Sequence, residues 1–159
     1  MTLIYARKSQ DWVIIASDKR ISSDNSYTDD YNKLIRKWEY VIWCSGDLVI
    51  STIVKSIKYE IDINKIDTLY NLAKLIRKEC EELKLQDKDL CWRIIVTSNK
   101  KIAVIDDQCS VEYKDIAIIW SWEDYALYMI ENGYTSREIF KYVSSKNTTV
   151  SKTYNEIIL

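Results

Sequence analysis

The chain has 159 residues, 47% hydrophobic and 30% charged, with a net charge of −1. That suits one globular domain spanning 1–159 with a real core, and it argues against a disordered segment or a basic nucleic-acid binder. Histidine and proline are absent and glycine occurs twice, which excludes His-based triads, His-ligated zinc and glycine-rich phosphate loops.

Residues 3–8 (LIYARK) are strand-like, and 12–17 (WVIIAS) are a nearly continuous apolar run, with a short polar connection between them. Together they read as a hairpin whose second strand is buried on both faces. Residues 19–32 are polar, with turn chemistry at Ser22-Ser23-Asp24-Asn25. Residues 33–37 and 39–44 suggest another pair of strands, ended by Ser45-Gly46-Asp47, where Ser45 or Asp47 can cap a helix. That helix is expected to run to about residue 62, with Ile50, Ile53, Val54, Ile57 and Ile61 on one face. A second helix, starting between 64 and 67, carries the stripe Ile66, Leu69, Tyr70, Ala73, Ile76, Cys80 and Leu83.

After a polar linker at 84–89, strands are expected at 90–97, 101–106, 110–113 and 115–121. A helix over 123–132 should stop at Gly133, a residue free to take positive φ after the C-cap. Thr135 with Glu138 has the spacing of a capping box. It opens a last helix to about residue 146, with Ile139, Phe140 and Val143 inward, and 148–158 suggests a final strand. Runs of like elements, rather than strict alternation, predict an α+β fold. A four-layer αββα sandwich, two antiparallel sheets face to face with helices outside, would bury every stripe.

No apolar segment reaches the roughly 18 residues of a membrane span. The start lacks a basic and then apolar leader pattern, and the four cysteines have no C-x-x-C spacing. A reduced, cytoplasmic protein that binds no membrane, nucleic acid, metal or organic cofactor is therefore expected.

Five stretches in order carry a further signal: Thr2-Leu3-Ile4, residues 14–20 (IIASDKR), Asn32-Lys33-Leu34-Ile35, Cys44-Ser45-Gly46-Asp47 and residues 117–126 (AIIWSWEDYA). On the layout above, they resemble the proteasome-type N-terminal nucleophile hydrolases over nearly the whole chain. The resemblance is closest to the bacterial peptidase subunit that partners a ring ATPase and to short proteasome β subunits. It implies the N-terminal nucleophile hydrolase fold and a threonine peptidase acting on peptides or unfolded proteins. It also implies a homo-oligomeric ring with an ATPase ring as a potential partner.

The resemblance sets Thr2 as the nucleophile once Met1 is removed. A free α-amine titrates near about 7.7–8.0, so its neutral fraction can take the hydroxyl proton. Lys33, paired with Asp18, would stabilise the alkoxide. The Gly46 amide would receive the oxyanion, and Ser121 would orient the amine. Two features depart from the family pattern. Trp120 and Trp122 stand where it has glycines, and its late aspartate falls on Thr149 or Ser151.

Each residue also has an ordinary reading. Thr2 suits any strand, Lys33 a surface, Asp18 a strand-end ion pair, Gly46 a turn and Ser121 a strand end. Cys44 reads as a small apolar core residue and the two tryptophans as core or interface aromatics. A catalytically silent protein on the same fold, acting by binding or assembly, and a small-molecule amidase stand as alternatives to the peptidase.

Overall fold

Successive residues of a strand face opposite sides, so a strand that is apolar throughout must be covered twice. The computed structural model, which describes residues 3–23, 26–28, 31–37, 39–44, 48–85, 91–119 and 123–159, meets that demand with four layers. One antiparallel sheet contains β1 (Ile4–Lys8), β2 (Val13–Asp18), β10 (Ile116–Ile119) and β11 (Tyr154–Ile158), in the order β10-β1-β2-β11. The other contains β5 (Leu34–Lys37), β6 (Tyr40–Cys44), β7 (Arg93–Thr97), β8 (Ile102–Asp106) and β9 (Val111–Tyr113), in chain order. Helices α1 (Leu48–Ser56) and α2 (Ile66–Glu82) cover the second sheet, and α3 (Glu123–Glu131) and α4 (Ser136–Lys146) cover the first.

The parity of the strands sorts the apolar residues into three cores. Ile4, Ala6, Val13, Ile15, Ala117 and Ile119 meet Leu34, Val41, Trp43, Ile95 and Ile102 between the sheets. Their neighbours Leu3, Tyr5, Ile14, Ala16 and Ile118 turn the other way, onto α3 and α4. Ile35, Ile42, Ile94, Val96, Ala103 and Ile105 face α1 and α2. All six residues of β2 are buried, as its unbroken apolar run requires.

Three local expectations need correction. The polar 19–32 segment carries two short paired antiparallel strands, β3 (Ile21–Ser23) and β4 (Ser26–Thr28). The first helix ends at Ser56, not near 62. There the Ser56 hydroxyl donates to the Ile53 carbonyl (2.8 Å) and the Lys37 ammonium donates to the Ile57 carbonyl, so late carbonyls find partners outside the helical ladder. Ile61 still reaches the core, from a non-helical segment. In α2 the contact face is Leu69, Leu72, Ala73, Ile76 and Cys80, while Ile66, Tyr70 and Leu83 are exposed. Tyr70 lies about 100° around the helix from Leu69, and Ile66 and Leu83 belong to the terminal turns.

The α3–α4 corner forms as its residues dictate. Gly133 adopts φ +78°, its amide donates to the Ile130 carbonyl (3.1 Å), and the Tyr134 amide donates to the Met129 carbonyl (3.0 Å). This paired capping needs a left-handed residue at position 133. Thr135 then starts α4 with both bonds of the capping box in place.

Tyr5 links β1 to α4. Its ring stacks on Phe140 with centroids 6.0 Å apart, and its hydroxyl bonds to Ser136, which donates to Glu156. Burial pushes the phenol up from 10.0 to about 12, against the opposing effect of the Ser136 bond. Between those values the unfolded chain has lost the proton and the folded chain still holds it, so stability falls as pH rises. The gap corresponds to about 2–3 kcal/mol by the top of that window. Tyr5→Phe should remove that part of the alkaline slope, read from urea midpoints of both proteins at several pH values above about 9.

Candidate active site

The β1–β2 register pairs Ile4 with Ser17, which brings Leu3 beside Asp18 at the open end of the hairpin. Asp18, the last residue of β2, is fully buried. Its Oδ1 accepts from the Leu3 amide (3.0 Å) and from the Lys33 ammonium (2.9 Å). Its Oδ2 accepts from the Arg20 amide (3.1 Å) and, at longer range, from the Ser151 amide (3.4 Å). The Asp18 amide in turn donates to the Leu3 carbonyl (3.1 Å). Lys33 is 9% exposed. A buried ion pair is tolerated only when further hydrogen bonds offset its desolvation, and here each carboxylate oxygen has two donors.

The backbone around the pair is tied from three directions. The Lys19 amide donates to the Thr153 carbonyl (3.1 Å), and the Tyr31 amide donates to the Lys19 carbonyl (3.2 Å). Asn32 Oδ1 accepts from the Leu34 amide (3.0 Å) and from Asn155 (3.2 Å), which steadies the entry to β5 on both sides of Lys33. The Ser151 hydroxyl bonds to the Thr153 hydroxyl (2.7 Å) and accepts from the Thr153 amide (3.1 Å).

The structure therefore brings Asp18 and Lys33 into contact. Thr2, Gly46 and Ser121 lie outside the described residues, as do Met1, Trp120 and Trp122. Their described chain neighbours are Leu3, Cys44 with Leu48, and Ile119 with Glu123. Ile119 pairs with Ile4, so the end of β10 adjoins the end of β1 beside Asp18. Of the two candidates for the late aspartate position, Thr149 bonds to Asn147 through its amide and hydroxyl. Ser151 alone reaches Asp18, and it does so through its amide.

Sequence reasoning named Ser151 only as a stand-in for the late aspartate and missed its contribution to Asp18, which comes from its backbone amide. It also missed Ser17, whose buried hydroxyl has no hydrogen-bond partner among the described residues. Parity was the available signal, since Ser17 shares a face of β2 with Val13 and Ile15, the face turned toward the other sheet.

Cys44 ends β6 and packs against the α1–α2 core. Burial pushes its thiol well above the ordinary range, with Lys55 and Lys37 acting in the opposite sense. A thiol held protonated is no nucleophile. Among the described residues no group of His, Cys, Asp or Glu side chains can hold a metal ion. No described helix is long and apolar enough to cross a membrane.

No protein-family model matches the sequence, and no curated protein does. Solved structures match its shape along most of both chains. BPH from Thiobacillus denitrificans, in complex with epoxomicin, superposes with a TM-score of 0.83 at 10% identity, over 99% of this chain and 97% of that one. Anbu from Yersinia bercovieri, described as an ancestral beta-subunit, gives 0.76 at 12% identity over 100% and 82%. HslV from Trypanosoma brucei gives 0.69 at 16% identity over 99% and 98%. At such identities the likeness is one of fold, and the fold is that of the proteasome-type N-terminal nucleophile hydrolases.

Proposed function

We propose that this chain is a threonine peptidase whose nucleophile is Thr2, exposed by removal of Met1. The observation that carries the reading is the buried Asp18–Lys33 pair, bonded through Asp18 to the amide of Leu3. Leu3 is covalently joined to Thr2, and adjacent Cα atoms lie about 3.8 Å apart. The reading is also supported by strand register. The β1–β10 register runs from Arg7–Ile116 to Ile4–Ile119, so the described ends of β1 and β10 lie side by side next to Asp18.

In this mechanism the neutral α-amine of Thr2 takes the hydroxyl proton and the alkoxide attacks the peptide carbonyl. Lys33 stabilises the alkoxide, and Asp18 positions Lys33. The Gly46 amide receives the tetrahedral oxyanion, and Ser121 orients the amine. The leaving amine takes the proton, and water then releases the acyl group from Thr2. The proposal extends to a single domain over 1–159, a cytoplasmic homo-oligomeric ring, a peptide or unfolded-protein substrate and an ATPase ring partner.

Intact mass and epoxomicin labelling test it together. The expected result is loss of the Met1 mass and stoichiometric labelling that Thr2→Ala abolishes. Retained Met1 with no labelling at high probe concentration overturns it. The second reading, a silent protein acting by binding or assembly, draws on Trp120 and Trp122 in place of glycines. It also draws on a groove of about 430 Å³ lined by Tyr125, Tyr128, Tyr134 and Tyr142. Full biological activity of Thr2→Ala would select that reading.

A further inference from the structure

We propose that the tyrosine-lined groove on α3 and α4 binds a small quaternary ammonium compound of the choline class. The inference goes beyond the peptidase reading and holds whether or not Thr2 is a nucleophile. The groove, of about 430 Å³, is lined by Asp124, Tyr125, Tyr128, Met129, Tyr134 and Tyr142, all of them described residues. Ligand pockets commonly occupy about 300–1,000 Å³, so an ammonium head with a short tail fits.

The α3–α4 corner builds this groove from local spacing. Tyr125 and Tyr128 are three residues apart on α3, so they neighbour each other on the helix surface. Met129 beside them is buried in the core beneath and forms the floor. The left-handed Gly133 and the bond from the Tyr134 amide to the Met129 carbonyl hold Tyr134 at the corner. From α4, Tyr142 meets Tyr125 with ring centroids 6.3 Å apart and planes tilted by 38°. The four tyrosines are 38–61% exposed, so the core does not account for them and a ligand can reach them. Large aromatics gathered in one exposed patch mark a binding surface rather than scattered surface apolarity.

The chemistry of the walls selects the occupant. The lining is mostly apolar and offers few hydrogen-bond acceptors. A primary ammonium or a guanidinium needs several acceptors and does not find them there. A methylated ammonium presents carbon surface that carries positive charge, which suits the negative faces of aromatic rings. Asp124, in the first turn of α3, is the charged residue of the lining, and it forms no ion pair among the described residues. α3 as a whole carries Glu123, Asp124 and Glu131 and no basic residue. α4 carries Arg137, Lys141 and Lys146 with Glu138. Of these, the Lys146 ammonium stands 5.9 Å from the centre of the Tyr142 ring. One wall of the groove thus already holds a cation, and that cation competes with the ligand. A neutral ligand of the same shape gains the apolar contact but nothing from Asp124 or from the ring quadrupoles, and an anion is repelled.

The test is an NMR titration of the tyrosine ring signals of the full chain at constant ionic strength. The probes are choline and its neutral carbon isostere, which has a tert-butyl group in place of trimethylammonium. Choline is expected to bind about tenfold more tightly than the isostere. Tyr128→Leu keeps apolar area at an exposed position, and should weaken choline about threefold while leaving the isostere within about twofold. Asp124→Asn should act in the same direction. Lys146→Met removes the competing cation and should strengthen choline by about threefold. Equal affinity for the two probes, choline shifts that do not saturate, or a choline-to-isostere ratio unchanged in both Tyr128→Leu and Asp124→Asn overturns the proposal. A trimethyl-lysine peptide that binds far more tightly than choline overturns the assignment to a free small molecule. Sedimentation in which Tyr128→Leu dissociates an assembly overturns it in favour of an interface between copies of the chain.

Discussion

Asp18→Ala is expected to lower the unfolding free energy by about 3–5 kcal/mol and to abolish the proposed peptidase activity. The carboxylate is fully buried and accepts from three backbone amides as well as from Lys33. Its removal deprives a buried ammonium of its counter-charge and leaves the amides of Leu3, Arg20 and Ser151 without that acceptor. Each loss is of the costly kind, a buried polar group whose partner has been taken away. Those amides belong to the residue before β1, the segment after β2 and the turn before β11, so the damage spreads to three strands of one sheet. Asp18→Asn should cost less, since one amide oxygen still accepts from two donors while the NH₂ group faces the other two. Urea unfolding of the three proteins, with kcat/KM on one peptide, checks the order wild type, Asp18→Asn, Asp18→Ala.

Lys33→Met should have the opposite balance, a fall of about 10²–10³-fold in kcat with a stability loss of only about 1–3 kcal/mol. Asp18 keeps its three amide donors in that variant, so the remaining charge is still hydrogen-bonded. The methionine stem fills the space of the lysine stem at a site only 9% exposed. What disappears is the ammonium, whose proposed work is to stabilise charge that exists only on the way to the transition state. Lys33→Arg retains the charge but spreads it over a planar fork, and should recover stability more than activity. If Lys33→Met is as destabilised as Asp18→Ala, the amide network around Asp18 is not what anchors this end of the sheet.

Much of the layering was legible in the residues. The unbroken apolar run of β2 demanded burial on both faces, and it lies between core and core. Thr135, Glu138 and Gly133 act within one or two helical turns, so short-range spacing suffices to locate the α3–α4 corner. The end of α1 was not legible. Ile57 and Ile61 continue the helical period, and both Ile61 and Ile63 are buried, but the chain leaves the helix at Ser56 and reaches the same core by another route. One of the groups that accepts the change is Lys37, on a strand of the sheet below. The α2 stripe was too broad for a similar reason. Periodicity marks which residues are apolar, but the width of the contact is set by the sheet beneath.

For the candidate site the division is sharper. Resemblance to a family singled out Asp18 and Lys33, and nothing in their local sequence distinguishes them from a strand-end acid and a surface lysine. The structure shows them bonded and buried, with Ser151 contributing an amide from 133 residues away. The sequence by itself determined the pattern of burial and therefore the faces and layers, because side-chain period is a local property of helix and strand. Only the tertiary structure decided which polar groups meet. That depends on registers between distant strands, and in a buried setting the meeting of donor and acceptor separates a tolerated charge from a costly one.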